Sequence, residues 1–227
     1  MKTLILSIVL TLWSTFLLIA QTDLGESYTS PSQKISYLVS VPESYSKENE
    51  QTYSTILFLH GGDRSNINHH PKKYAEEEGI EFPFITVAPL CPEGCSWSKI
   101  DFDALLNEVS ANYRLDKNRI YLTGYSMGGY GAWYALSTYP NWFAAAIPIA
   151  GGGKTETVCN AKNIPIKVFH GDKDDIIPYS ESVNLVTALK KCNADVELVT
   201  INTKSHWIWP NIYRDPEFYS WLLAHKK

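Results

Sequence analysis

The sequence has no excess of basic charge: 20 Lys and Arg stand against 24 Asp and Glu, for a net charge of −4. Proteins that bind nucleic acid normally turn a basic face to the phosphates. The lysines and arginines here are scattered, so no nucleic-acid partner is expected. Cysteine is sparse, at 4 residues, and none of the spacings is the Cys-x-x-Cys or Cys/His pattern of a zinc site. His69 and His70 are adjacent, adjacent residues point apart in regular structure, and no third ligand accompanies them. They read as loop histidines, and no metal is expected. Internal repeats, low-complexity tracts and long linkers are also missing.

The one long apolar run is at the start. Lys2, the run 4–20 and the polar Gln21-Thr22-Asp23 have the layout of a secretory signal peptide, with Ala20 as the small residue at the cleavage point. A membrane anchor is the alternative, since the run approaches the ~20 residues of a spanning helix. No positive stop-transfer cluster follows, which favours cleavage over stable membrane insertion. No cysteine ends the run to accept a lipid. The expectation is a leader over 1–20, a single domain over 21–227, and a secreted or periplasmic product.

Export permits disulfides, and the cysteines allow three pairings. Pro92-Glu93-Gly94 reads as a turn that brings Cys91 to Cys95, leaving Cys159 for Cys192 by elimination; buried free thiols remain the alternative.

Short runs rich in Val, Ile, Phe and Tyr alternate with longer amphipathic stretches. They predict strands at 34–41, 55–59, 84–88, 119–123, 144–149, 166–170 and 196–201, and helices at 102–113, 127–139, 180–192 and 216–224. Several strands are apolar at nearly every position, as strands buried on both faces are. The fold class is therefore α/β, a mostly parallel sheet with helices on both faces.

Within that frame the segment 119–133 reads as strand, Gly124-Tyr125-Ser126-Met127-Gly128 turn, then helix. A bare Gly-x-Ser-x-Gly arises by chance in roughly one chain of this length in fifteen, so the context carries the weight. A strand-to-helix turn with no side chains at Gly124 and Gly128 can hold Ser126 in the sharp conformation that exposes its hydroxyl. A serine hydroxyl needs a base to take its proton and an acid to orient that base. In such folds the order is Ser, then Asp or Glu, then His. His170 precedes every suitable acid and His225 lies among terminal lysines, which leaves His206. Asp172, Asp174 and Asp175 are the candidate acids, and two of them are expected to serve only as caps and solvated charge. The oxyanion of an acyl-transfer intermediate needs two backbone N–H groups. Met127 supplies one, and Gly62 of the loop His60-Gly61-Gly62-Asp63 the other, with Asp63 as the neighbouring alternative.

Leu57-Phe-Leu-His-Gly-Gly, Val87-Ala-Pro-Leu-Cys-Pro, Gly124-Tyr-Ser-Met-Gly-Gly-Tyr-Gly-Ala-Trp, His170-Gly-Asp-Lys-Asp-Asp-Ile-Ile-Pro and Ser205-His206-Trp resemble the esterase branch of the α/β-hydrolases. That branch includes feruloyl esterase-like, polyhydroxybutyrate depolymerase-like and phospholipase/carboxylesterase proteins. The resemblance covers nearly all of 21–227. Its His-Gly-x-x-Asp-x-x-x-Pro pattern implies Asp174 as the acid, although Asp175 stands where relatives often have proline. It implies a two-step acyl transfer by Ser126, His206 and Asp174, with no cofactor.

Between Ala150 and Ile166 there is only a short Gly-rich loop where many lipases insert a lid, so no large lid is expected and the site should be open. Trp97, Tyr125 and Trp207, with Trp209 less favoured, are candidate aromatic walls for a sugar or phenolic acyl group. The expected partner is a small-molecule or polysaccharide-linked ester, such as a feruloyl or acetyl ester of plant polysaccharide. A prolyl oligopeptidase-type peptidase and a thioesterase or lysophospholipase are the enzymatic alternatives. An inactive carbohydrate-binding scaffold is the alternative from another class.

Overall fold

The computed structural model describes residues 24–29, 34–46, 48, 50–94 and 96–227, with the side chains of 24–29 and 34 left aside. The leader expected over 1–20 and Cys95 lie outside the described residues.

Eight strands form one sheet: β1 (Leu24–Thr29), β2 (Lys34–Ser40), β3 (Tyr53–Leu59), β4 (Ile85–Pro89), β5 (Leu115–Tyr125), β6 (Ala145–Ile149), β7 (Ile166–Gly171) and β8 (Val196–Ile201). Their order is β1-β2-β4-β3-β5-β6-β7-β8. The β1/β2 and β2/β4 pairs are antiparallel and all others parallel. The helices are α1 (Pro71–Glu77), α2 (Phe102–Asn112), α3 (Met127–Thr138), α4 (Ser180–Lys191), α5 (Trp209–Tyr213) and α6 (Pro216–Leu223).

Two apolar layers sandwich the sheet. One joins Leu57, Leu122 and Val168 to Leu105, Leu136 and Leu189 from α2, α3 and α4. The other joins Ile56, Tyr121 and Ile147 to Ile212 and Phe218 from α5 and α6. Adjacent residues of one strand thus feed opposite layers, and β4 and β6 are buried at every position, which is why they read as unbroken apolar runs.

Four elements differ from the sequence reading. β5 begins at Leu115 rather than Arg119, because Lys117 and Asn118 are exposed and give that half no apolar signature. β1, α1 and α5 have no counterpart in the predicted elements. The two helices are 7 and 5 residues long, too short to show a helical period. Cys159 and Cys192, the pair reached by elimination, are joined by a disulfide, with Cα atoms 5.9 Å apart. Cys91 is buried. No helix among the described residues is long and apolar enough to cross a membrane.

Candidate active site

The parallel strands all point their C-terminal ends to one edge of the sheet, and the candidate residues gather there, where open α/β sheets hold their ligands. Ser126 sits between β5 and α3 with φ 56° and ψ −121°. For a residue with a Cβ this region costs on the order of 1–3 kcal/mol. The conformation is held from both sides: Ser126 N–H donates to the Ile149 carbonyl at 3.0 Å, and the Ser126 carbonyl accepts from Tyr130 N–H at 3.1 Å. Glycine is required beside it. A Cβ on Gly124 would lie 2.5 Å from the Gly128 carbonyl oxygen, and one on Gly128 would fall on the Leu59 carbonyl. Ser126 is half-buried.

Asp174 lies three residues beyond the end of β7, and His206 on the loop after β8. His206 Nδ1 is 2.7 Å from Asp174 Oδ2. Since a carboxylate only accepts, Nδ1 carries a proton, and in the neutral form of the ring Nε2 holds the lone pair. That Nε2 is buried and has no hydrogen-bond partner. The other carboxylate oxygen, Asp174 Oδ1, accepts from Ile176 and Ile177 N–H, each at 2.9 Å. Burial works to raise the Asp174 pKa. The His206 hydrogen bond and the Ile177 and Ile176 amides outweigh it and hold the carboxyl below the usual aspartate value. The other two aspartates do not reach His206. Asp172 accepts from Thr203 N–H at 3.0 Å, and Asp175 is exposed.

Two buried histidines brace this arrangement, and neither was singled out from the sequence. His60 Nε2 accepts from Cys91 N–H at 3.1 Å, so its Nδ1 carries the proton and donates to the Gly61 carbonyl at 2.6 Å. Every described peptide bond is trans, so pinning the Gly61 carbonyl toward His60 turns the Gly62 N–H the opposite way. Met127 opens α3, where first-turn N–H groups lack acceptors within the helix. His170 Nε2 donates to the Ile177 carbonyl at 3.0 Å and lies 3.5 Å from Asp174 Oδ2. Its Nδ1 meets Ser182 Oγ at 2.7 Å, and Ser182 reaches the Gly151 carbonyl at 3.3 Å. Burial lowers the pKa of both histidines below the usual value. A neutral imidazole fits the bonds of His60, and in a neutral His170 the single Ser182 hydroxyl hydrogen is shared between Nδ1 at 2.7 Å and the Gly151 carbonyl at 3.3 Å. The signal for both was in the sequence, since each directly precedes a glycine at the end of an apolar strand.

The aromatic residues divide. Trp207 is 60% exposed beside His206. Trp97 is buried, donates its indole N–H to the His60 carbonyl at 3.2 Å and lines the cavity beside Ser126. Tyr125 is 1% exposed, which corrects its expected place on a substrate-binding wall. As the last residue of β5 it turns into the layer opposite α3, where it stacks on the equally buried Trp209. His69 and His70 pack edge-on against Tyr74 and Phe58 respectively.

A mostly parallel sheet with helices on both faces, a strained serine between a strand and a helix, and no large lid among the described residues define an α/β-hydrolase fold. The model of the phospholipase/carboxylesterase family matches residues 94–216, and the chain belongs to that family. Among curated relatives, the bifunctional acetylxylan esterase/xylanase XynS20E of Neocallimastix patriciarum is 29% identical over 137 residues, covering 56% of this chain and 20% of its own length. The probable feruloyl esterase C of Aspergillus terreus is 26% identical over 170 residues, covering 69% of this chain and 61% of its own length. The chain thus spans a fifth to about three fifths of these relatives. A crystal structure of a thermostable esterase superposes with a TM-score of 0.74 at 29% identity, over 90% of this chain and 63% of that one.

Proposed function

We propose that Ser126, His206 and Asp174 form the catalytic triad of an exported esterase in which residues 21–227 are one catalytic domain. The observation that carries the reading is the 2.7 Å contact from His206 Nδ1 to Asp174 Oδ2, which leaves a buried, unpartnered Nε2 to act as base. Ser126 Oγ attacks the ester carbonyl while His206 Nε2 takes its proton. The tetrahedral oxyanion is held by the N–H groups of Met127 and Gly62. His206 then protonates the leaving alcohol, and a water activated by the same imidazole releases the acid from Ser126. Asp174 fixes the tautomer and stabilises the imidazolium. No cofactor takes part in these steps.

The acetylxylan esterase and feruloyl esterase relatives support esters of plant polysaccharide as substrates, and the apolar run 4–20 supports export. The test exposes the wild-type protein without residues 1–20, and its Ser126→Ala variant, to a fluorophosphonate probe and an aryl acetate. Labelling and turnover in the wild type, absent from the variant, are expected. A folded wild type that neither labels nor turns over would sink the reading.

A further inference from the structure

A cavity of about 890 Å³ starts at Ser126 and follows one side of α3. Near the serine its walls include Met127, Tyr130 and Ile177, and farther on Trp97, Gly131 and Tyr134. Beyond Tyr134 the lining turns polar at Ser137, Thr138 and Thr157. At 1.5 Å per residue, the helix from Met127 to Tyr134 gives the apolar stretch a length of about 10 Å. An acetyl group would leave most of that stretch without contacts.

The cavity also has a direction relative to the chemistry. The leaving alcohol must depart beside the acid that protonates it, His206 Nε2. Neither His206 nor its exposed neighbour Trp207 lines the cavity, whereas Ser126 and Met127 do. The cavity therefore lies away from the departing alcohol, on the side left for the acyl group.

We infer that this groove is the acyl site, and that it selects elongated apolar acyl groups, alkyl chains or aryl-propenoyl groups, over acetyl. The inference rests on the triad reading above and narrows its substrate class. Each methylene buried in the groove is worth roughly fourfold in kcat/KM by apolar transfer alone. The gain ends when the chain outgrows the apolar stretch and reaches the hydroxyls of Ser137 and Thr138.

The experiment measures kcat/KM for nitrophenyl esters from acetyl to dodecanoyl, with an aryl-propenoyl ester as a separate arm. In parallel, the Ser126→Ala variant is titrated with acetate, decanoate and an aryl-propenoate, followed by tryptophan fluorescence. A rise of at least about tenfold from acetyl to the mid-length chains, then a plateau, is expected. The aryl arm tells which kind of apolar acid the walls prefer. Ser98, exposed beside Trp97 on the groove, offers a block: Ser98→Trp should lower the ratio of decanoyl to acetyl kcat/KM at least tenfold, while Ser98→Ala keeps it. A wild-type profile that is flat or highest for acetyl overturns the inference whatever the variant does. If no ester is turned over and the probe does not label, yet decanoate binds Ser126→Ala more tightly than acetate, the groove stands and the triad reading fails. Equal binding of the two acids in that case overturns both.

Discussion

The rings of Tyr125 and Trp209 lie parallel, with centroids 3.8 Å apart and planes 5° from coplanar. One residue precedes the candidate nucleophile and the other follows the candidate base by three. Trp209 also meets the His206 ring edge-on at 6.3 Å. The Tyr125 ring also lies against the loop His60-Gly61-Gly62, where a Cβ on Gly61 would come within 2.7 Å of it. A single stacked pair therefore underlies all three parts of the site.

Tyr125→Ala should remove that support and cost about 3–5 kcal/mol, as loss of a large buried ring does. Tyr125→Phe should cost at most about 1 kcal/mol, because the buried Tyr125 hydroxyl makes no hydrogen bond of ordinary geometry and meets only the Gly61 backbone as a polar contact. Urea denaturation of both variants measures this. A Phe variant destabilised as much as Ala would mean that the hydroxyl holds a bond of its own.

Asp174→Asn should lower kcat by about 10⁴-fold, the size seen when a triad acid loses its charge and the imidazole its tautomer. Asp172→Asn should cost less than about tenfold, since Asp172 supports the Thr203 backbone and not the imidazole. Steady-state kinetics on one aryl ester decides the matter, and the reverse ranking would move the acid to Asp172.

His60→Ala frees the Gly61 carbonyl and with it the direction of the Gly62 N–H. An oxyanion donor lost in this way costs about 10²–10³-fold in kcat. KM should change little, because the ground-state carbonyl depends less on that donor than the oxyanion does. His60→Asn, which keeps an N–H near Nδ1, should recover part of the loss. A pure KM effect would assign His60 to packing alone.

Stability should decline as the solution is acidified from neutrality. His60 and His170 have folded pKa values below the reference 6.5, so the unfolded chain takes up protons first as pH falls through that value. Their contribution is complete above about pH 6.5 and is lost on acidification below it. Asp174 acts in the same direction in a lower window: its folded pKa lies below the reference 3.8, so its contribution is lost as pH falls below about 4. Urea midpoints between pH 7.5 and 5 for the wild type and for His170→Gln test the histidine share. The variant should show the flatter profile, and identical slopes would remove His170 from the account.

The strand-turn-helix around Ser126 was legible because its glycines cannot be replaced: backbone carbonyls occupy the space where their Cβ atoms would be. That Ser126, Asp174 and His206 lie at one edge of the sheet follows from the parallel strands, which deliver their ends there. Tyr125 was misread for the opposite reason. Proximity to Ser126 in sequence suggested a ligand wall, but strand alternation and a partner 84 positions later, Trp209, decide where its ring goes. Charged residues obscured the first half of β5, and shortness hid α1 and α5. Among the three aspartates, the family's His-Gly-x-x-Asp-x-x-x-Pro spacing pointed to Asp174, while the physical reason, which carboxylate meets a ring from the loop after β8, lies outside any local pattern.

The line from Ile177 through His170 and Ser182 to Gly151 joins the turn that carries Asp174 to the loop packed on Gly129, inside the helix that begins after Ser126. Such a chain of contacts is expected to make the two halves of the site open together. Amide protons at Ile176 and Ile177 and those at the start of α3 should therefore exchange with solvent at a common free energy, so the acid turn does not fray while the serine elbow stays closed.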